Sequence, residues 1–355
     1  MNPPCVSVII STYTQDRWDD LCATVESVRR QSDPALEIVV VVDHNPHLLA
    51  RIRAAMPDVV AVENQEAPGL SGARNSAVAV AQGAILAFLD DDAVAAPDWL
   101  ARLTQGYDDP HAIGVGGAIE PRWPDRRPGW LPPEFDWVVG CTYRGMPERR
   151  APVRNLIGAN MSFRREVFAH IGGFRSGLGR LGTRPLGCEE TEFCIRARQH
   201  LADSTLLYEP RARVRHRVTA QRTSWRYFRA RCHAEGLSKA LVARYVGATD
   251  GLASERTHAL RTLPQGIVRN LGSALEGDPA GLQRAGAIMA GLMLTAAGYL
   301  RGTLAARRTE VAADVGDTAP LEVGGRSTSD RLPSYHDVRS ACRPPCHLAQ
   351  DKLGS

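Results

Sequence analysis

The sequence predicts an α/β protein built on a mostly parallel sheet with helices on both faces. Three observations point there. Between residues 6 and 92, four short apolar runs alternate with segments whose apolar residues recur at helical spacing. The runs are apolar at nearly every position, as strands covered on both faces must be. Tyr13, Asp43 and Asp90 to Asp92 stand at the ends of three of those runs, and sheets of this kind bind ligands beyond the carboxyl ends of their strands.

The elements follow in order. Val6 to Ile10 is β-branched and apolar, then turns polar at Ser11-Thr12-Tyr13-Thr14, so a buried strand ends in a site-forming loop. Trp18, Leu21, Val25 and Val28 put a helix over residues 18–31. Glu37 to Val42 is a second strand with Asp43 at its end, residues 50–56 a helix, and residues 59–63 a third strand. Residues 71–82 are small and alanine-rich, which suits a helix that packs closely. The fourth strand, residues 84–89, runs straight into Asp90-Asp91-Asp92.

Beyond Trp99 the pattern loosens. Residues 121–150 are rich in Pro and Arg, with Trp123, Trp130 and Trp137 seven residues apart. They form either irregular structure anchored by buried indoles or a wall whose aromatic faces stack on a ligand. Six glycines between residues 172 and 187 favour a mobile loop or lid. Residues 223–245 read as a basic helix. Residues 285–300 are uncharged but fall short of the ~20 needed to span a bilayer, so they are expected to form a packed or interfacial helix. From Glu310 the chain is polar and aperiodic, a disordered tail.

Hydrophobic residues make up 44% of the chain, enough for a full core, and a net charge of +4 is too small to imply nucleic-acid binding. Eight arginines and no acidic residue lie between Arg211 and Arg231. Such a run reads as a solvated face, with an anionic partner as the alternative. The eight cysteines, which include Cys342 and Cys346 in the tail, form no CxxC pair, which fits a reduced, cytoplasmic setting. The opening apolar run is too short for a signal peptide.

Three adjacent carboxylates at a strand end repel one another and drive their pKa values up. A divalent cation resolves that conflict, and hard oxygen ligands suit magnesium or manganese. A solvent-exposed acidic turn or a helix cap is the alternative.

Six segments in order carry a resemblance: Val6-Ser-Val-Ile-Ile-Ser-Thr-Tyr13, Glu37-Ile-Val-Val-Val-Val-Asp43, Gly72-Ala-Arg-Asn75, Phe88-Leu-Asp-Asp-Asp92, Gly158-Ala-Asn-Met161 with Gly172-Gly-Phe174, and Gly187-Cys-Glu-Glu-Thr-Glu-Phe-Cys-Ile-Arg196. Together with Pro210 to His216, this order resembles the inverting family 2 glycosyltransferases of the GT-A fold, a Rossmann-like sheet. The resemblance covers about residues 5–220. It implies a domain over residues 1–225, with the nucleotide-sugar half in 1–120 and the acceptor and catalytic half in 121–225. A helical extension over 226–308, possible membrane contact included, and a disordered tail over 309–355 complete the expected plan.

The same resemblance assigns roles. Thr12, Tyr13 and Asp43 would hold the donor nucleotide, where Asp43 matches the second of two consecutive aspartates usual in the family. Arg74 would touch the diphosphate. Asp90 and Asp91 would face ribose and metal, Asp92 would bind the metal directly, and His216 would complete that site. Gly158, Ala159, Asn160 and Trp130 would lie on the acceptor side. Glu190 holds the place of the family's catalytic Asp, with Glu189 beside it, although those two acidic residues would equally suit the first turn of a helix.

The expected activity is transfer of a sugar from a nucleotide diphosphate-sugar, a UDP-sugar by this reading, to a saccharide or lipid-linked acceptor. A manganese or magnesium ion would assist at the inner face of the cell membrane, where the basic helix beside an apolar one suits an anionic bilayer. The competing expectations are a catalytically silent nucleotide-sugar-binding module and a nucleotidyl or phosphoryl transferase. No GxxxxGK[ST] loop supports the latter.

Overall fold

The computed structural model describes residues 5–179 and 187–316. Its first half alternates strand and helix: β1 (Val6–Thr12), α1 (Trp18–Arg29), β2 (Glu37–Val42), α2 (Pro46–Ala55), β3 (Val60–Glu63), α3 (Leu70–Val80) and β4 (Ile85–Asp90). There follow β5 (Ala93–Ala95), α4 (Trp99–Thr104), β6 (Ala112–Arg122), β7 (Ala151–Pro152), β8 (Asn160–Arg164), α5 (Arg165–Ile171), α6 (Glu189–His200) and β9 (Thr205–Arg217). All strands join one sheet in the order β3-β2-β1-β4-β8-β6-β9-β5, with β7 also on β9.

The pairings from β3 to β4 are parallel, β8 runs antiparallel to both β4 and β6, and β6 and β9 are parallel again. The apolar strands behave as two-sided strands should. Val40 and Val42 face one layer with Leu21, Val25, Leu48, Ile52 and Leu100, while Val39 and Val41 face the other with Ala73, Ala77, Phe168 and Phe193. The helix expected over residues 50–56 begins earlier, at Pro46, because Asn45 caps it by accepting from the Leu48 amide and Pro46 sits at its first position.

Beyond the sheet stands the helical extension: α7 (Trp225–Val246), the short turns α8 (Ala248–Gly251) and α9 (Ala253–Thr257), a π-helical turn over His258–Thr262, α10 (Leu263–Leu275) and α11 (Ala280–Gly316). Two glycines let α7 and α11 cross closely. A Cβ on Gly236 would stand 2.0 Å from the Thr295 carbonyl oxygen, and one on Gly298 would stand 2.1 Å from that of His233.

The uncharged stretch at 285–300 thus belongs to a much longer helix. Its segment Ala280–Ala305 is long and apolar enough, by length and composition alone, to cross a membrane. α11 continues to Gly316, so residues 309–316 are helical; the remainder of the expected disordered tail lies outside the described residues, as do residues 180–186 of the glycine-rich loop. The described start of that loop is tied to α3, where Ser71 Oγ donates to the Leu178 carbonyl and Asn75 Nδ2 to that of Phe174.

Candidate active site

The carboxyl ends of β1, β2 and β4 open on one cleft of about 680 Å³. It gathers Thr12, Tyr13, Asp43, Arg74, Asp90, Asp91, Asp92, Gly158, Ala159, Glu189, Glu190 and His216 from seven segments of chain. Sheet register explains the longest of these approaches. Ala93 of β5 pairs with His216 of β9, and Pro121 of β6 lies on His216's other side. Asp92, one residue before Ala93, is thereby set against the imidazole.

Ligand atoms of Asp90, Asp92 and His216 all lie within 4.8 Å of one another. His216 Nε2 is 3.1 Å from Asp92 Oδ1 and 3.3 Å from Arg222 Nη1. Arginine can only donate, so when Arg222 bonds to Nε2 that nitrogen presents a lone pair. Asp92 Oδ1 is then left buried without a hydrogen bond, which is costly. Two lone-pair atoms facing each other beside a second carboxylate, that of Asp90, are what a divalent cation accepts, and the mixed oxygen and imidazole set fits such an ion. In the other arrangement, with His216 Nε2–H donating to Asp92, burial still raises the carboxyl, but His216, Arg17 and Arg222 outweigh it and hold the group well below the usual carboxylate range.

Asp91 does not share that site. Its side chain turns inward, accepting from Thr12 Oγ1 at 2.8 Å and Arg17 Nη1 at 2.7 Å. Burial, helped by the charge on Asp92 and opposed by Arg17, moves its carboxyl up to about 6. Asp91, expected to face ribose and metal, lines the cleft but is not among the three residues whose ligand atoms converge, since successive residues at a strand end point to opposite sides. Thr12 likewise serves Asp91 in this structure.

Asp43 accepts from Asn64 Nδ2 at 2.7 Å and from the Gly69 amide at 2.9 Å, so it pins the entry to α3 as well as lining the cleft. Tyr13 stands half-exposed at the rim. Arg74 is buried in α3. It donates to Glu189 Oε1 at 2.8 Å and to the Gly158 carbonyl at 3.2 Å, and lies 3.6 Å from Asp90. The diphosphate contact expected of Arg74 thus has to share a guanidinium already bound to Glu189.

Cys188, at the cap of α6, takes a left-handed backbone with φ 74°, a strained conformation for a non-glycine residue. That turn aims Glu189 at Arg74 and Glu190 into the cleft wall. Burial, reinforced by the negative Glu189 and opposed by Arg74, raises the Glu190 carboxyl to about 8.

Two expected residues lie elsewhere. Asn160 is fully buried within the sheet, where its Oδ1 accepts from Trp99 Nε1 and its Nδ2 donates to the carbonyls of Ala118 and Ala212. It ties β8 to β6 and β9 and does not line the cleft. Trp130 packs edge-on against Trp225 and Phe228 of α7, at 5.2 and 5.5 Å between ring centres, which makes it an indole anchor for the extension.

Arg17 and Arg222 were missed. The basic run offered no sign that Arg222 is buried at the His216 edge. The strand's two-residue period accounts only for Arg211, Arg213, Arg215 and Arg217, which alternate outward with buried Ala212, Val214 and His216; Arg222 falls after that pattern ends, so no periodic signal marked it.

The described cysteines are free thiols. The profile of glycosyl transferase family 2 matches residues 7–172. The chain is similar to the glucosyl-dolichyl phosphate glucuronosyltransferase of Haloferax volcanii, with 37% identity over 238 residues covering 66% of this chain and 76% of that protein. It is also similar to the succinoglycan biosynthesis protein ExoM of Rhizobium meliloti, with 27% identity over 287 residues, 75% of this chain and 87% of that one. Among solved structures, the mannosyltransferase PcManGT from Pyrobaculum calidifontis in complex with GDP-Man and Mn2+ superposes at a TM-score of 0.51 with 19% identity, over 83% of this chain and 88% of that chain. The architecture is that of the GT-A glycosyltransferases.

Proposed function

This chain belongs to glycosyl transferase family 2, and from that premise we propose that it moves a sugar from a nucleoside diphosphate-sugar, a UDP-sugar, to a hydroxyl of a lipid-linked saccharide, inverting the anomeric carbon. The observation that carries this reading is the orphaned Asp92 Oδ1 facing His216 Nε2 beside Asp90, in the same cleft as Glu190. Asp90, Asp92 and His216 would hold a manganese or magnesium ion, which when bound neutralises charge on the departing diphosphate. Tyr13 would stack on the base and Asp43 would position it. Glu190 would take the acceptor hydroxyl's proton while that oxygen bonds to the anomeric carbon and the bond from carbon to diphosphate oxygen breaks. The lipid-linked acceptor follows the activity named for the Haloferax volcanii relative.

A panel of nucleotide-sugars incubated with Mn2+, read as released nucleotide, tests the reading. Release of nucleoside diphosphate from one class of donor is expected. Release of sugar 1-phosphate, with the nucleoside monophosphate moved to the acceptor, would instead make the chain a nucleotidyl transferase, and tight nucleotide binding with no release would make it a binding module.

Asp43→Ala should weaken nucleoside diphosphate binding at least about tenfold in calorimetry, about 1.4 kcal/mol, because it removes a cleft carboxylate and loosens the Gly69 entry to α3. Unchanged affinity would remove Asp43 from the donor site.

The extension is proposed to rest on an anionic bilayer, on the cytoplasmic side. Leu260 on the π-helical turn and Val268, Leu271 and Leu275 on α10 are exposed, as are Leu282, Met289, Met293, Leu300 and Leu304 along α11. Exposed Trp225 lies on α7 beside Arg226 and Arg229, which gives the apolar surface an aromatic and basic border. Ala285, Ala287 and Ile288 are buried against the rest of the protein, which favours α11 lying along the membrane surface over crossing it. The chain should float with vesicles containing anionic lipid, and high salt should release part of it. Recovery only in the soluble fraction at low salt would refute this.

A further inference from the structure

A second chamber, of about 270 Å³, opens on the far side of Glu190. It shares Gly140, Ile157, Cys188, Glu190 and Arg231 with the donor cleft, so Glu190 stands in the wall common to both spaces. Its remote wall is made by α7, α9, the π-helical turn, α10 and α11. All of these lie outside the matched residues 7–172. The extension therefore builds the remote wall, while Phe135, Trp137, Tyr143 and Ile157 of the matched region build the near one.

Its chemistry is selective. Phe135, Trp137, Leu263 and Leu292 supply aromatic and apolar surface. The cations on the wall are engaged: Arg154 with Glu255 at 2.8 Å, Lys239 with Glu255 at 2.7 Å and Glu235 at 3.4 Å, and Arg231 with Glu235 at 2.9 Å. A phosphate could enter only by breaking one of these shielded pairs and leaving a carboxylate uncompensated. His258 Nε2, by contrast, is buried with no hydrogen-bond partner. It is held at the wall by the π-helical turn, a distortion that recurs at functional sites. The volume falls just under the ~300–1,000 Å³ usual for small-molecule sites, which suits one sugar ring and not a saccharide chain.

We propose that this chamber receives the acceptor's terminal sugar as an uncharged pyranose, seated on the Trp137 side with a hydroxyl free to bond His258 and another presented to Glu190, and that it rejects the acceptor's phosphate. The assignment rests on Glu190 being the base of the transfer proposed above. Apolar and aromatic edges, with Trp137 itself already packed by Arg231 and Phe135, and one unpaired ring nitrogen recognise a neutral polyol, and closed ion pairs turn an anion away.

The test titrates the full chain with octyl β-glucoside, kept below its micelle concentration, and separately with octyl phosphate. UDP and GDP with Mn2+ are titrated in parallel. Saturable binding of the glucoside and not of the phosphate is expected. Ala259→Phe, which fills the chamber, and His258→Leu, which removes the ring nitrogen, should each weaken glucoside binding at least about tenfold. Both should keep diphosphate affinity and a thermal midpoint close to wild type. Equal glucoside binding by wild type and both variants, no glucoside binding by wild type, or saturable binding of octyl phosphate in its place would each overturn the proposal. A wild-type chain that binds the glucoside as described yet neither diphosphate would support the chamber and overturn the donor reading.

Discussion

Asp92→Ala should lower kcat/KM for sugar transfer at least about a thousandfold, about 4 kcal/mol of transition-state stabilisation, and EDTA should do the same to the wild-type chain. The loss is large because the variant removes a buried, unsatisfied oxygen that faces His216 in the cleft and with it the anchor for the charge that offsets the leaving diphosphate. The fold should survive. Without Asp92, Arg17 keeps Asp91 at 2.7 Å and Arg222 keeps the His216 edge at 3.3 Å, and an orphaned acceptor is removed from the interior. A readout independent of turnover follows from mass action. Mn2+ should raise the melting temperature of wild type and not of the variant, because only a chain that binds the ion is stabilised by it. Full activity of wild type in EDTA would sink the metal reading.

Much of this site was legible because it is made of strand ends. A run such as Glu37 to Val42 can only be a strand buried on both faces, and in a sheet of such strands the next residue, Asp43, must fall on the ligand rim. The same logic placed Tyr13 and Asp90 to Asp92. It could not separate Asp91 from its neighbours, because which carboxylate turns inward depends on Thr12 and Arg17 waiting beneath it. Nor could local pattern join His216 to Asp92, which are brought together by the β5–β9 register; only the ordered resemblance supplied that pair.

Asn160 and Trp130 show the opposite failure. Their place in a motif and a tryptophan-rich segment suggested ligand contact, while the polar amide is used up bridging three strands and the indole is used up holding α7. Residues on helices far down the chain, such as Lys239 and His258, carried no signal at all, because their roles come from tertiary packing of the extension against the wall of the sheet domain.

Glu190 and Glu189 are neighbours, and the structure separates them by what each touches. Glu189 is spent on Arg74 at 2.8 Å, with both side chains buried. Glu190 carries no such partner, lies in the wall between donor cleft and second chamber, and is pushed up to about 8 by burial and by Glu189. A carboxylate tuned near neutral pH is suited to take a proton from a hydroxyl.

Glu190→Gln should therefore keep nucleoside diphosphate and metal binding and lose at least about a hundredfold in turnover, about 2.7 kcal/mol. In wild type kcat/KM should climb as pH rises toward about 8, where the free enzyme's Glu190 ionises, and that limb should vanish from the residual activity of the variant. Stability should move the other way. The folded carboxyl is raised above its unfolded value, so the stability it contributes is complete below the unfolded pKa and is lost as pH rises through about 8. Glutamine cannot ionise, so at pH 8 and above the variant should melt higher than wild type.

Glu189→Gln is expected to differ in kind. It strips a buried guanidinium of its carboxylate, a change that typically costs about 3–5 kcal/mol of stability, so its signature is a lowered melting temperature. A Glu189→Gln chain that melts like wild type but turns over more slowly than Glu190→Gln would exchange the two roles.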